Sequence, residues 1–207
     1  MRSAVVFSLS LVASVYGHAF INTVTGANGV SGYGLGVLKS STDVETDDDG
    51  SFLDSFLNTP VLNNVDEEPC GATISGGSVD IASAMADVSD DMGGVPTIPE
   101  DGNLELSMYE VDGDGGGPFT AEINEDATGS TWTPIDVTTQ PAGTDSINLD
   151  TPSNNTIAVT IPSTTTCTGG TSADTCLIRF SNSAAAGPFG GCVAVAQSSS
   201  NSTRRGL

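Results

Sequence analysis

The single histidine of the chain, His18, is the residue whose type and position most directly suggest chemistry. It follows a stretch with one charge, Arg2, an apolar run and the small residues Val15 and Gly17, which is the pattern of a secretory signal with its cleavage site. Cleavage after Gly17 would make His18 the first residue of the mature protein. Its terminal amine and its imidazole could then chelate copper through two nitrogens, because imidazole suits copper.

Copper would need a further ligand, and the chain has no second histidine to supply it. We predict that an aspartate completes such a site, either Asp112 or Asp114 in the Asp-Gly-Asp-Gly turn. Oxygen ligands suit copper less well than a second imidazole, so the predicted affinity is modest. A terminal histidine with no role in metal binding is the open alternative.

The composition gives little support to other catalytic chemistry. A nucleophilic triad needs an imidazole-like base, and the only histidine lies at the predicted terminus. Paired carboxylates could hydrolyse glycosides, but the chain has 26 acidic residues, so no particular pair is informative. The turns that begin at Glu45 and Asp112 resemble calcium loops, yet both lack the glutamate that an EF-hand has at its last position.

The cysteine pattern predicts two disulfides. The chain has four cysteines and no Cys-x-x-Cys pair, which disfavours a zinc site. Cys167 and Cys176 flank a turn that contains Gly-Gly, which suits a local bridge, and this leaves Cys70 to pair with Cys192. An even number of cysteines in a secreted chain favours both bridges.

The charge balance restricts the partners. The formal net charge is −21, with only five lysine and arginine residues. Such a surface repels phosphate backbones and anionic lipid leaflets, so we expect neither nucleic acid nor membrane as a partner. The charge either keeps a secreted protein soluble or attracts cationic surfaces and divalent ions.

The length fits one domain behind a leader. We predict a signal peptide at residues 1–17, one folded domain at 18–197 and a disordered polar tail at 198–207. No second apolar run resembles the leader, so the mature protein is predicted to be secreted and soluble. Asn154 and Asn201 begin Asn-x-Thr motifs, which predict N-glycosylation.

Short runs rich in β-forming residues predict the elements that position these side chains. Leu104–Val111 alternates strictly, with Leu104, Leu106, Met108 and Glu110 on one face. Further strands are predicted at 18–25, 119–123, 132–137, 157–161, 177–180 and 192–195, with one short helix at 82–88. This pattern favours an all-β chain, an antiparallel β-sandwich with an immunoglobulin-like or monooxygenase-like core and long acidic and Gly-rich loops.

Two Gly-Pro-Phe corners, at 117–119 and 187–189, belong to blocks that together suggest a family. With His18 directly after the signal, Pro-Cys-Gly at 69–71 and the blocks 111–119, 176–182 and 186–192, the chain resembles the Egh-like secreted virulence factors of fungi, which include the appressorial MAS-type proteins. The resemblance implies secretion during host penetration or surface contact. It does not imply a settled biochemical activity.

Two functions from different classes are consistent with these features. The first is a non-enzymatic, virulence-associated protein that acts at the host surface or on cell-wall polysaccharide during fungal penetration. The second is a copper-dependent enzyme similar to lytic polysaccharide monooxygenases, which would use His18 as its terminal ligand. The absence of a second histidine favours the first function.

Overall fold

The computed structural model describes residues 18–42 and 55–198. The predicted signal peptide at 1–17, the acidic run at 43–49, the tail beyond Ser198 and the glycosylation motif at Asn201 lie outside the described residues. The described part is mostly β-structure. Its strands and helices are β1 Ala19–Thr25, β2 Ser31–Gly32, α1 Lys39–Thr42, β3 Ala72–Thr73, β4 Gly77–Ser78, α2 Ile81–Met92, β5 Asn103–Glu110, β6 Thr120–Asn124, β7 Thr133–Thr139, β8 Ser153–Thr160, β9 Thr175–Ser181 and β10 Gly190–Ala196.

Seven of these strands form a closed barrel. Their order around it is β10-β9-β6-β7-β8-β5-β1, and β1 pairs with β10 to close the circle. The closing pair is parallel and joins Phe20 to Gly190, whereas the other neighbours run antiparallel. The two-residue strand β2 extends the sheet beside β1.

The predicted β-sandwich is therefore wrong. Alternation along a strand indicates that one face of a sheet is buried, and this pattern is the same in a sandwich and in a barrel. The feature that distinguishes the two folds is the pairing of the first and last strands, which no local pattern contains. The individual strands, in contrast, are confirmed: the alternating run at 104–111 forms β5, and the predicted helix at 82–88 lies in the first two turns of α2.

Two apolar clusters lie on the two sides of the barrel wall. Alternate residues of the strands, such as Ile21, Met108 and Ile178, fill the interior. Their neighbours Phe20, Tyr109 and Leu177 point outward and are covered by α2 and by residues 33–37. Strands β9 and β10 are consequently buried on both faces, which explains why their sequences do not alternate between apolar and polar residues.

Helix α2 has standard signals at both ends. The carboxylate of Asp80 accepts a hydrogen bond from the Ser83 N–H at 2.8 Å, and Gly93 ends the helix in the left-handed conformation. Val88 is its buried contact with the outer cluster. Among the described residues, no helix combines the length and apolar character needed to cross a membrane.

Both cysteine pairs favoured by the sequence are bonded. Cys70–Cys192 spans 122 residues and joins the segment before β3 to β10 within the outer cluster. Cys167–Cys176 spans nine residues and closes the turn before β9. The long bridge restrains the strand that closes the barrel, because Cys192 lies two residues after Gly190.

The two bridges are expected to differ in their contribution to stability. Since a disulfide restricts the unfolded chain more when it closes a longer loop, replacing Cys70 and Cys192 by alanine should cost about 5 kcal/mol. The matched pair Cys167→Ala/Cys176→Ala should cost about 3 kcal/mol. Denaturant unfolding of the two double variants measures the difference. Equal losses would contradict the assignment of the long bridge as the main restraint.

Candidate functional site

The backbone of His18 is fixed directly before β1, where β1 and β10 pair to close the barrel. Its carbonyl oxygen accepts a hydrogen bond from the Val111 N–H at 2.8 Å. Gly115, in the 3₁₀ turn Gly113–Gly115 after β5, lies so close that a Cβ atom there would stand 2.4 Å from the same oxygen. The turn can therefore pack against His18 only with glycine at this position.

The imidazole of His18 is buried between two phenylalanine rings. The centre of the Phe56 ring lies 4.0 Å from that of His18, and the Phe189 ring lies 4.9 Å away. His18 is 4% exposed, and this burial lowers its pKa to about 4, so the ring is neutral at ordinary pH. Its Nδ1 atom is buried without a hydrogen-bond partner.

Asp112 is the carboxylate that the structure brings to His18. The His18 backbone N–H donates to Asp112 Oδ1 at 2.7 Å, and Nδ1 of the ring lies 4.0 Å from Oδ2. Burial raises the pKa of Asp112 to about 6; the His18 hydrogen bond opposes this rise and the charge of Asp114 adds to it. Both nitrogens of the predicted chelate thus face one carboxylate.

Asp114 is the less well placed of the two predicted aspartates. Its carboxylate is close enough to raise the pKa of Asp112, and burial raises its own pKa. However, no ion pair or hydrogen bond joins its side chain to His18 in the described part of the chain.

A copper ion fits this arrangement only as a small chelate. Within residues 18–42 and 55–198, no three histidine, cysteine, aspartate or glutamate side chains are grouped closely enough to hold a metal. The donors would be the unpartnered Nδ1 of His18, the Asp112 carboxylate and, after the predicted cleavage, the amine nitrogen of His18. That donor set is consistent with weak binding, because it offers copper a single imidazole.

Asn182 holds the loops around the site together. Its Nδ2 atom donates to the carbonyl oxygens of Asp114 and Gly116 at 2.9 and 3.1 Å. Its Oδ1 atom accepts from the Phe189 N–H at 2.9 Å. One buried amide thus connects the turn after β5 to the corner before β10, which carries the Phe189 ring.

Glu110 is a buried acid that the sequence analysis did not select. It is fully buried, Oε2 accepts from Asn148 Nδ2 at 2.5 Å, and Oε1 has no partner. Burial raises its pKa to about 7, although the Asn148 hydrogen bond lowers it. The sequence does contain an indication of this buried acid. Glu110 is the last residue on the alternating face of β5, and the other three residues of that face are apolar and fill the barrel.

The remaining site prediction on a described residue concerns Asn154. It lies exposed on β8, and its Oδ1 atom accepts from Asn22 Nδ2 at 2.9 Å and from Ser107 Oγ at 3.2 Å. The exposed position leaves N-glycosylation there as a prediction.

A second feature that sequence reasoning missed is a pocket of about 340 Å³ beside Trp132 and Arg179. The Arg179 guanidinium lies 4.2 Å from the centre of the Trp132 ring and pairs with Glu122 at 2.6 Å. Its third contact is the carbonyl oxygen of Pro69 at 3.0 Å. These contacts occupy the only cationic side chain in the described lining of the pocket, so we assign Arg179 a structural role.

The raised pKa of Glu110 predicts a specific pH dependence. Its folded-state pKa lies above the ordinary value of 4.5, so the folded protein loses stability as pH rises from about 4.5 to about 7. In Glu110→Gln this contribution is absent. The free energy of unfolding of the variant should therefore increase relative to that of the parent protein as pH rises through that range. The contributions of the other titrating groups are the same in both proteins and cancel in the difference.

Denaturant unfolding at a series of pH values from about 4.5 to about 8 measures this difference. Glu105→Gln, at an exposed position of the same strand, is the matched control. A difference between Glu110→Gln and the parent that does not change with pH would contradict the prediction.

Two known proteins are similar in sequence to this chain. The chain is 35% identical over 199 residues to "Appressoria-specific virulence factor GAS1" of Pyricularia oryzae (strain 70-15 / ATCC MYA-4617 / FGSC 8958), covering 94% of this chain and 77% of the relative. It is 35% identical over 116 residues to "Appressoria-specific virulence factor GAS2" of the same organism, covering 51% of this chain and 39% of that relative. No solved structure matches the chain.

The chain also matches the sequence model of a protein family. This family is described as Egh16-like virulence factor, and the match covers residues 16–190. This range extends from the predicted cleavage site to the first residue of β10, and it includes His18, Asp112 and both Gly-Pro-Phe corners. The chain therefore belongs to the Egh16-like virulence factor family.

Proposed function

We propose that this chain is a secreted, virulence-associated protein that acts without catalysis, by adhering to a positively charged cell-wall polysaccharide at the host or fungal surface. The role in virulence is supported by the relatives, which are named appressoria-specific virulence factors. Secretion is supported by the predicted leader before His18.

The charge of the protein surface is the observation that favours a positively charged polysaccharide as the partner. Among the described residues, Lys39 is the only exposed lysine or arginine, because Arg179 is buried against Glu122. Fourteen described acidic residues are exposed: Asp66, Glu67, Asp80, Asp87, Asp90, Asp91, Glu100, Asp101, Glu105, Glu125, Asp126, Asp136, Asp145 and Asp150. A surface with almost one sign of charge attracts polycations and repels polyanions.

Asp90 is one of these charges that does not stabilise its own helix. It lies in the last turn of α2, which contains no basic residue. Negative charge at a helix C-terminus opposes the helix dipole and costs about 0.3–1 kcal/mol per group. Acidic side chains at positions where they weaken the helix are consistent with selection for a charged partner.

The proposal predicts binding to deacetylated chitin, whose glucosamine units carry ammonium groups, and much weaker binding to chitin or cellulose, which are neutral. Sedimentation of the protein with each insoluble polysaccharide in mildly acidic buffer measures the bound fraction. Salt at about 1 M should release the protein, because the screening length falls to about 3 Å. Asp87→Asn/Asp90→Asn should bind more weakly than the parent, whereas Ser83→Ala/Ser89→Ala on the same helix should not.

Three results would contradict this function. Equal retention on chitin and on its deacetylated form would exclude recognition by charge. Retention that persists in about 1 M salt would show that the contacts are not electrostatic. Release of soluble sugar products during the incubation would instead favour an enzyme.

A copper-binding protein similar to lytic polysaccharide monooxygenases is the second candidate. The observation in its favour is that the backbone nitrogen and the unpartnered Nδ1 of His18 both face Asp112. The lone imidazole supports modest copper affinity without efficient oxidation of polysaccharide.

Calorimetric titration with copper tests this candidate on a protein that begins at His18, beside a form that carries one additional N-terminal residue. We expect binding by the first form, about tenfold or more weaker binding by the second, and a similar loss in Asp112→Asn. Equal copper affinity of the two forms would exclude chelation of copper by the terminal amine and imidazole of His18. Oxidised sugars from the first form alone would favour the enzyme over the adhesive protein.

A further inference from the structure

The nitrogen of His18 occupies a position where a positive charge would be stabilised. In the full-length chain this nitrogen belongs to the peptide bond between Gly17 and His18, so its N–H group is neutral. It donates at 2.7 Å to Asp112 Oδ1, and the Asp112 side chain is only 21% exposed. A carboxylate that is buried beside a neutral donor lacks the opposite charge that would offset its loss of hydration.

No other cation supplies that charge in the described part of the chain. The Arg179 guanidinium is paired with Glu122, and no ion pair from a described lysine or arginine reaches Asp112. The imidazole of His18 is enclosed by the Phe56 and Phe189 rings, and its Nδ1 atom stays 4.0 Å from the Asp112 carboxylate. Asp114 adds a second negative charge next to Asp112.

We propose that the α-ammonium group released by cleavage between Gly17 and His18 is the counter-ion of Asp112, so that removal of the leader adds a partly buried ion pair to the folded protein. The inference depends on the predicted cleavage site and not on polysaccharide or copper binding. It assigns a role to the mature terminus that neither the family nor the relatives' names provide.

The backbone already holds the nitrogen in place for this pair. The carbonyl oxygen of His18 is fixed by the Val111 N–H at 2.8 Å, and Gly115 packs against it. Ala19 begins β1 opposite Glu110, the last residue of β5. Cleavage therefore changes the charge of the nitrogen at a distance suited to an ion pair, without requiring the strand to move.

A double-mutant cycle separates the ion pair from simple crowding at the terminus. The four proteins begin at His18 or at Gly17, and each start is combined with the parent sequence or with Asp112→Asn. Each terminus is produced by removal of a fusion partner and verified by mass spectrometry. Retaining Gly17 moves the ammonium away and restores a neutral peptide nitrogen. In the parent sequence this should raise the equilibrium constant for unfolding about tenfold, whereas in the Asp112→Asn variant it should change that constant little.

Amine labelling gives a second readout that does not depend on stability. Lys39 is the only lysine, so a protein that begins at His18 has two amines. A free α-amine ordinarily reacts faster than a lysine near neutral pH, because its pKa is about 2.5 units lower. We expect acetylation of Lys39 before the α-amine of His18 in the parent. The α-amine should react before Lys39 in Asp112→Asn, where it belongs to His18, and in the longer form, where it belongs to Gly17.

Three results would overturn the proposal. The first is an effect of Gly17 on stability that is equal in the parent sequence and in the Asp112→Asn variant. The second is an α-amine in the parent that is acetylated before Lys39. The third is a secreted natural protein whose first residue is not His18, which N-terminal mass spectrometry would show.

Discussion

The parallel pairing of β1 with β10 is the contact on which the remaining structure depends, because it turns an open sheet into a barrel. The pairing occurs at Phe20 and Gly190, where φ of Gly190 is +139° and a Cβ atom would lie 2.3 Å from the Phe180 carbonyl oxygen. Only glycine fits there. Since His18 directly precedes β1 and Phe189 directly precedes β10, closure of the barrel also assembles the candidate site.

That site combines burial with negative charge. Glu110, Asp112 and Asp114 follow one another at alternate positions where β5 leaves the barrel, and burial raises the pKa of all three. Carboxylates in such surroundings destabilise a fold unless a positive group offsets them. Local conflicts of this kind are typical of functional sites. The nitrogen of His18, which contacts Asp112 directly, is a group that processing could convert into a cation.

The exposed surface and the buried site use acidic residues for different purposes. On the surface, carboxylates keep their hydration and give the protein a negative field that extends into the solvent. At the end of β5 they lose hydration, so their energies depend on a few specific contacts, such as those of Asn148 and His18. A change of salt concentration should therefore act on the surface charges much more than on the site.

The sequence by itself determined the features that depend on neighbouring residues or on composition. These are the individual strands, the first two turns of α2, the two cysteine pairs and the family. His18 was identified from its position behind the predicted leader, and Asp112 from its turn. The barrel, the burial of Glu110 and the enclosure of His18 by Phe56 and Phe189 were decided only by the tertiary structure. These three features depend on contacts between segments that are distant along the chain. The alternation of apolar residues and the spacing of motifs describe only neighbouring residues, so they contain no information on such contacts.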